Sequence, residues 1–240
     1  MSSGDVKGKT TATAQLSLED LVRGAEKTFD NAERLFYEAE LLTNAGAVAR
    51  ALCLHQISLE ECSKVDNLGA WAVSLILGFD VDQEKVLAAF RRHAAKNRTN
   101  AYMLEGSQEE KDAKARGDFD AARAAFRQTQ EAFHETSNTA KNAALYVDWA
   151  DGAFAAPDER ITTEMLAEIT KRNAAFLGYA HNSLKMLRRL QASGDMLRPR
   201  LARLLEDMEK LRDATPEDVL RTMNDLLARF IEEGKQALKK

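Results

Sequence analysis

Proline is almost missing from this chain, with three residues in 240, and there are only 12 glycines. So few breakers beside abundant Ala, Leu, Glu, Lys and Arg favour long helices over sheets. Cysteine is equally scarce. Cys53 and Cys62 are nine apart on one expected helix, which at about 100° per residue sets them on opposite faces. They cannot bridge each other, no further cysteine is there to pair with, and reduced thiols suit a cytoplasmic protein. No apolar run approaches the roughly 20 residues that a bilayer span needs. Met1 to Thr13 has no apolar stretch that would serve as a signal peptide or anchor, and residues 1–14 are expected to be disordered. An excess of positive charge is lacking too. The net charge of −4 argues against holding nucleic acid by bulk electrostatics and leaves a local basic groove as the alternative. Gly-rich phosphate loops, Cys-x-x-Cys pairs and serine nucleophile elbows are absent from the sequence.

What is present suffices for one sizeable core or two small ones: 45% of residues are hydrophobic and 30% charged. Ser17 followed by Asp20 reads as a helix cap, after which Leu18, Leu21, Val22, Ala25, Phe29, Ala32, Leu35, Phe36, Ala39 and Leu42 recur at helical spacing. A second helix is expected from about Ala47 to Leu77 and a third from about Asp82 through Lys96. The charged stretch 105–118 reads as a solvated excursion or frayed connection. A fourth helix is expected from Phe119 to Trp149, ending at the Asp151-Gly152 and Pro157 boundary. Beyond it, helices are expected over 162–190, 196–211 and, after the Thr215-Pro216-Glu217 start, 216–238. The expected architecture is all-α: an antiparallel helical bundle over 15–152, with a C-terminal helical region over 158–240 as an appendage or lid.

The chemistry concentrates in the second and third helices. Glu60-Glu61-Cys62-Ser63-Lys64 lies amid Ala, Leu, Ile and Trp, where charges gain nothing unless they find partners. Glu60 with Lys64 reads as a surface i,i+4 pair. Glu61 and Lys64 share one face, as do His93 and Lys96, so acid, base and cation would meet if the two helices are neighbours. That makes either a buried structural network or an active site. Arg91, Arg92, Lys96 and Arg98 around His93 favour its neutral form, which a general base for a ribose hydroxyl needs. Lys141 and Asp148, seven apart, are expected on one helix face, with Tyr146 donating a hydrogen bond into the core. Glu131-Ala132-Phe133-His134 is a Glu-x-x-His, but a di-metal carboxylate site takes two such units and the sequence has one. Arg50 to His55 is an Arg-x4-His, a spacing that is weak evidence by itself.

Taken together, Asn31-Ala32-Glu33-Arg34-Leu35 through Leu41-Leu42, Ala47 to Leu54, Leu59-Glu60-Glu61-Cys62-Ser63-Lys64, His93-Ala94-Ala95-Lys96, Leu145-Tyr146-Val147-Asp148 and the 157–163 segment resemble the AbiV abortive-infection family of the HEPN superfamily, over roughly residues 25–175. The resemblance implies a cytoplasmic bacterial anti-phage protein acting by attack on RNA or a block of translation. It also implies a homodimer in which an Arg-x4–6-His motif from each subunit meets across the interface, and here Arg50 and His55 are the match. The expected main site is Glu61, Lys64, His93 and Lys96. Arg50, His55, Lys141, Tyr146 and Asp148 are secondary. In the expected ribonuclease chemistry His93 acts on the 2′-hydroxyl, Lys64 and Lys96 face phosphate charge and Glu61 orients a partner. Expected partners are transfer or ribosomal RNA and a phage protein trigger, with no metal, cofactor, membrane or DNA. The competing expectation is a non-catalytic protein that binds a phage or translation component, its charged cluster fixing helix register.

Overall fold

The computed structural model describes residues 15–90, 104, 106–150 and 152–209, together with residues 225, 228, 229 and 232. His93 and Lys96, the basic residues around them, the N-terminal segment 1–14 and the last expected helix start at Pro216 lie outside the described residues.

Helix α1 (Leu18–Asn44) opens with the expected cap. Ser17 Oγ accepts from the Asp20 amide at 3.1 Å, and the Asp20 carboxylate accepts from the Ser17 amide at 3.1 Å. Its apolar stripe, Leu21, Val22, Ala25, Phe29, Ala32 and Ala39, is buried. Three residues then turn the chain into α2 (Val48–Leu77), which runs back antiparallel to α1. Helix α2 is the centre of the molecule, buried on most of its circumference from Ala49 to Ile76. Gly78, at φ 80°, ends it by letting the amides of Gly78 and Phe79 close on the Leu75 and Ser74 carbonyls.

Helix α3 (Gln83–Phe90) follows, and then α4 (Gln108–Ala115), capped by Ser107, within the stretch expected to be a solvated excursion. What the sequence reading missed is Glu110, buried and paired with Lys114 at 2.5 Å. Helix α5 (Phe119–Ala143) starts at Asp118, whose carboxylate accepts from the Ala121 amide, and packs against α4 and the middle of α2.

The fourth helix does not reach Trp149. After Ala143 the chain makes a hairpin of β1 (Asp148–Ala150) and β2 (Ala153–Ala155), with Trp149 opposite Phe154 and Gly152 at φ 84°. Tyr, Val and Trp suit a strand as well as a helix, and a glycine able to take positive φ decides the matter in favour of the turn. After the short α6 (Pro157–Arg160) comes α7 (Thr163–Glu209), in which Ser193 (φ −132°, ψ 16°) leaves helical geometry, so that two helical segments meet at a kink between the expected helices 162–190 and 196–211.

Helix α7 is a wall of the core. Leu166, Ile169, Phe176, Ala180, Leu184 and Leu187 join the same buried cluster as the apolar stripes of α1 and α2. Cross-links between Asn173 and His55, Ser183 and Asp66, and Arg198 and the Ile76 carbonyl run α7 parallel to α2. The fold is all-α apart from the hairpin, as expected. Its core trio is α1, α2 and α7, so the reading of residues after 158 as an appendage or lid is corrected for α7.

Candidate functional site

Because α2 is enclosed, most of its buried polar side chains are matched by a neighbouring helix. Besides Asp66 with Ser183, three such matches occur. On the side facing α5, Glu60 Oε1 accepts from Lys141 Nζ at 2.8 Å, with 1% and 9% of the two side chains exposed. Glu60 was expected to be the surface partner of Lys64, and here it is the most deeply buried carboxylate of the cluster. Buried charge of this kind is tolerated only when paired. Burial raises the Cys53 thiol above its ordinary range, with Lys141 and Glu60 acting on it in opposite directions.

On the side facing α1 and α7, His55 is wholly buried. Its Nδ1 meets Asn173 Nδ2 at 3.2 Å, and Asn173 Oδ1 lies 3.2 Å from Ser58 Oγ, which also donates to the Ala32 carbonyl at 2.7 Å. The Asn173 carboxamide can donate to Nδ1 or, turned over, accept from it, so the contact holds the ring in either neutral tautomer. Glu40 Oε1 stands 3.3 Å from Nε2, within attraction but out of line for a hydrogen bond. The Phe36 ring packs edge-on at 4.9 Å. Burial lowers the His55 pKa, and the Glu40 carboxylate opposes this without reversing it, so the ring is neutral at pH 7.

The third match is more open. Glu61 pairs with Lys64 one turn on, and Asn31 of α1 donates to Glu61 Oε2 at 3.3 Å. The two expected residues do come together, part-buried at the α1 edge of α2.

The remaining secondary candidates separate. Arg50 is exposed on the first turns of α2. Lys141 and Asp148 do not share a helix face, because α5 ends at Ala143. Asp148 stands exposed in β1, 3.8 Å from Arg160. Tyr146 points to solvent and gives no hydrogen bond to the core. The expectation for both is corrected by the hairpin. Val147, Trp149 and Phe154 are exposed with Tyr146, the two rings meeting edge-on at 5.0 Å.

Sequence reasoning missed Glu40, Gln56, Ser58 and Asn173. Asn173 had left a signal, since it interrupts the apolar row Ile169, Phe176 and Ala180 of α7 at helical spacing. Among the described residues no group of three or more His, Cys, Asp and Glu could hold a metal ion, and no helix is long and apolar enough to cross a membrane.

No solved structure matches the chain. An uncharacterized protein, y4gJ, of Sinorhizobium fredii is 64% identical over 111 residues, which cover 46% of this chain. The chain spans 58% of the length of that curated relative. The HEPN_AbiV family model, described as AbiV, matches residues 20–178, from the first turn of α1 past Asn173 of α7. The residues of all three polar matches therefore fall inside the matched stretch, and the chain belongs to the AbiV family of HEPN proteins.

Proposed function

We propose that this protein is a bacterial anti-phage abortive-infection factor that disables RNA or translation, by metal-independent cleavage of RNA at the Arg50–His55 turns of α2. The observation that carries this reading is the placement of His55: wholly buried, with Nδ1 held 3.2 Å from the Asn173 carboxamide and the ring packed against Phe36. To take the proton of a ribose 2′-hydroxyl the ring must present Nε2, the nitrogen on the Glu40 side, unprotonated, with the Asn173 carboxamide turned to accept from Nδ1–H. Arg50, five residues earlier and exposed, supplies a guanidinium for phosphate. In the covered state of His55 substrate has no access, so the reading requires Glu40 to swing away from Nε2. A second copy of the chain, as in an Arg-x4-His dimer, would supply the displacing contact. Glu61, Lys64, His93 and Lys96, expected as the main site, are the alternative centre in this scheme.

A specific observation favours a second reading. The Glu60–Lys141 pair is sealed, as expected of a network that fixes register, while Trp149 and Phe154 present an aromatic surface. Both features suit a protein that binds a phage or translation component without chemistry.

Incubation of the full chain with total RNA and transfer RNA in chelator decides between them. Wild type is compared with Arg50→Ala, Lys64→Ala and His93→Ala. Loss of cleavage in Arg50→Ala alone supports the α2 centre, and loss in the other two moves it to the Glu61 cluster. No cleavage by wild type, alone or with lysate of phage-infected cells, supports the binding protein.

A further inference from the structure

His55, Ser58 and Asn173 have too few protons between them to satisfy one another in more than one way. Each is 0% exposed, so bulk water reaches none of them. Ser58 Oγ stands 2.7 Å from the Ala32 carbonyl and 3.2 Å from the Asn173 carboxamide, whose other end stands 3.2 Å from His55 Nδ1. A hydroxyl has one proton to give. The Ala32 carbonyl can only accept, and two oxygens 2.7 Å apart need that proton between them. Towards Asn173, Ser58 is therefore left with lone pairs alone.

The oxygen and nitrogen ends of a carboxamide have nearly the same shape, and its partners decide which end is which. With Oδ1 turned to Ser58, two sets of lone pairs face each other at 3.2 Å. With Nδ2 turned to Ser58, the amide donates there, and Oδ1 accepts from Nδ1 of His55. The second arrangement gives each of these contacts one donor and one acceptor, and the first does not. Nδ1 then carries the proton of the neutral ring, and Nε2 is bare. Glu40 favours the other tautomer, because its carboxylate is 3.3 Å from Nε2. That attraction is the weaker one. It is out of line for a hydrogen bond, and the Glu40 side chain is 43% exposed and can turn to water, as Ser58 and Asn173 cannot.

We propose that Ser58 and Asn173 are positioning residues for His55: the Ser58–Ala32 bond turns the Asn173 carbonyl to the ring, which keeps the proton on Nδ1 and leaves Nε2 as a base on the Glu40 side. Its catalytic meaning rests on the proposed function at Arg50–His55, whereas the tautomer holds whether or not the chain cleaves RNA. When Nε2 takes up the 2′-hydroxyl proton, Nδ1–H stays bonded to the Asn173 carbonyl, which stabilises the imidazolium. Three helices assemble the device: α1 supplies the Ala32 carbonyl, α2 supplies His55 and Ser58, and α7 supplies Asn173.

The test is NMR of the full chain at neutral pH with nitrogen-15 in its histidines. Couplings from the ring C–H protons distinguish a protonated from a bare nitrogen, and the set missing in His55→Gln assigns His55 among the 4 histidines. Expected is Nδ1–H in wild type. Nε2–H there overturns the proposal, with no variant needed. Ser58→Ala releases the carboxamide and should lower the ratio of Nδ1–H to Nε2–H about tenfold. An unchanged ratio in a Ser58→Ala chain that still unfolds cooperatively overturns the role of Ser58. Asn173→Asp, whose carboxylate can only accept from the ring, should keep Nδ1–H, and Nε2–H in it overturns the role of Asn173. In a chain that cleaves RNA, Ser58→Ala should also lower kcat about tenfold at unchanged KM, because Ser58 acts only through Asn173 and His55. A kcat that stays level while the ratio falls overturns the positioning role. The two readings fail separately: wild type with Nδ1–H that cleaves no RNA loses the proposed function, and wild type that cleaves RNA with Nε2–H loses this inference alone.

Discussion

Removing one partner of the Glu60–Lys141 pair should destabilise the protein far more than removing both. The pair lies 2.8 Å apart between α2 and α5, with almost no contact with water on either side chain. In Glu60→Leu the Lys141 ammonium keeps its burial and loses its counter-charge, and breaking a buried pair in this way costs about 3–5 kcal/mol. Lys141→Met strands the carboxylate at a similar cost. For a chain of this size, with about 2–4 °C lost per kcal/mol, each single variant should melt about 6–20 °C below wild type. The double variant fills the same space with apolar groups and should lie within about 1 kcal/mol of wild type, so the coupling across the cycle is about 5 kcal/mol or more. Urea unfolding followed at 222 nm, and independently by the fluorescence of buried Trp71, gives all four free energies. Single-variant losses under about 1 kcal/mol, or single losses that simply add in the double variant, would show that water reaches the pair and that it is not what fixes α5 on α2.

The other expectations are narrower. The His55 pKa lies below the ordinary 6.5 because of burial, so the unfolded chain binds the extra proton first as pH falls. Stability from this group is complete above pH 6.5 and lost as pH drops through the folded pKa. A series of melts from pH 7.5 to 5 should therefore show wild type losing more than His55→Gln, and parallel curves would refute the assignment. Asp66 has the opposite sign. Burial raises its pKa and Ser183, donating at 2.6 Å, only partly offsets this, so Asp66→Asn should gain most over wild type at neutral pH and least near pH 4. Cys62, its thiol pushed up to about 12 by burial, and buried Cys53 should both resist maleimide in the native protein and react fully in 6 M guanidinium. Mass spectrometry of native protein carrying either adduct would contradict this. Gly78→Ala, which puts a side chain at φ 80°, should cost about 1 kcal/mol at the end of α2.

Periodicity made α1 and α2 legible almost to the residue, because strong stripes and a Ser-Asp cap coincide there. It failed at 144–149, where Leu145, Tyr146 and Trp149 keep helical spacing although Gly152 makes the strand turn the better solution. It failed again at Glu60 against Glu61. On a helix apolar around most of its circumference the stripe does not say which of two adjacent carboxylates faces inward, and about 100° of rotation separates a sealed ion pair from an edge one. Asn173 lies 118 residues from His55, so their contact depends on α7 running parallel to α2, which no local signal encodes. The expected meeting of Glu61 and Lys64 was readable because it is intrahelical.

That parallel placement of α7 also sets a timetable for synthesis. The α1–α2 hairpin is complete once residue 77 is made, yet one wall of its core arrives only with Phe176 to Leu187. At about 5–20 residues per second the gap is on the order of 10 s. Throughout it, the apolar row of α2 and the Ser58–His55 edge that awaits Asn173 face the ribosome surface and any chaperone bound there. A nascent chain of this protein is thus a different object from the finished one, and the fixed imidazole on which the proposed activity depends exists only after α7 has docked.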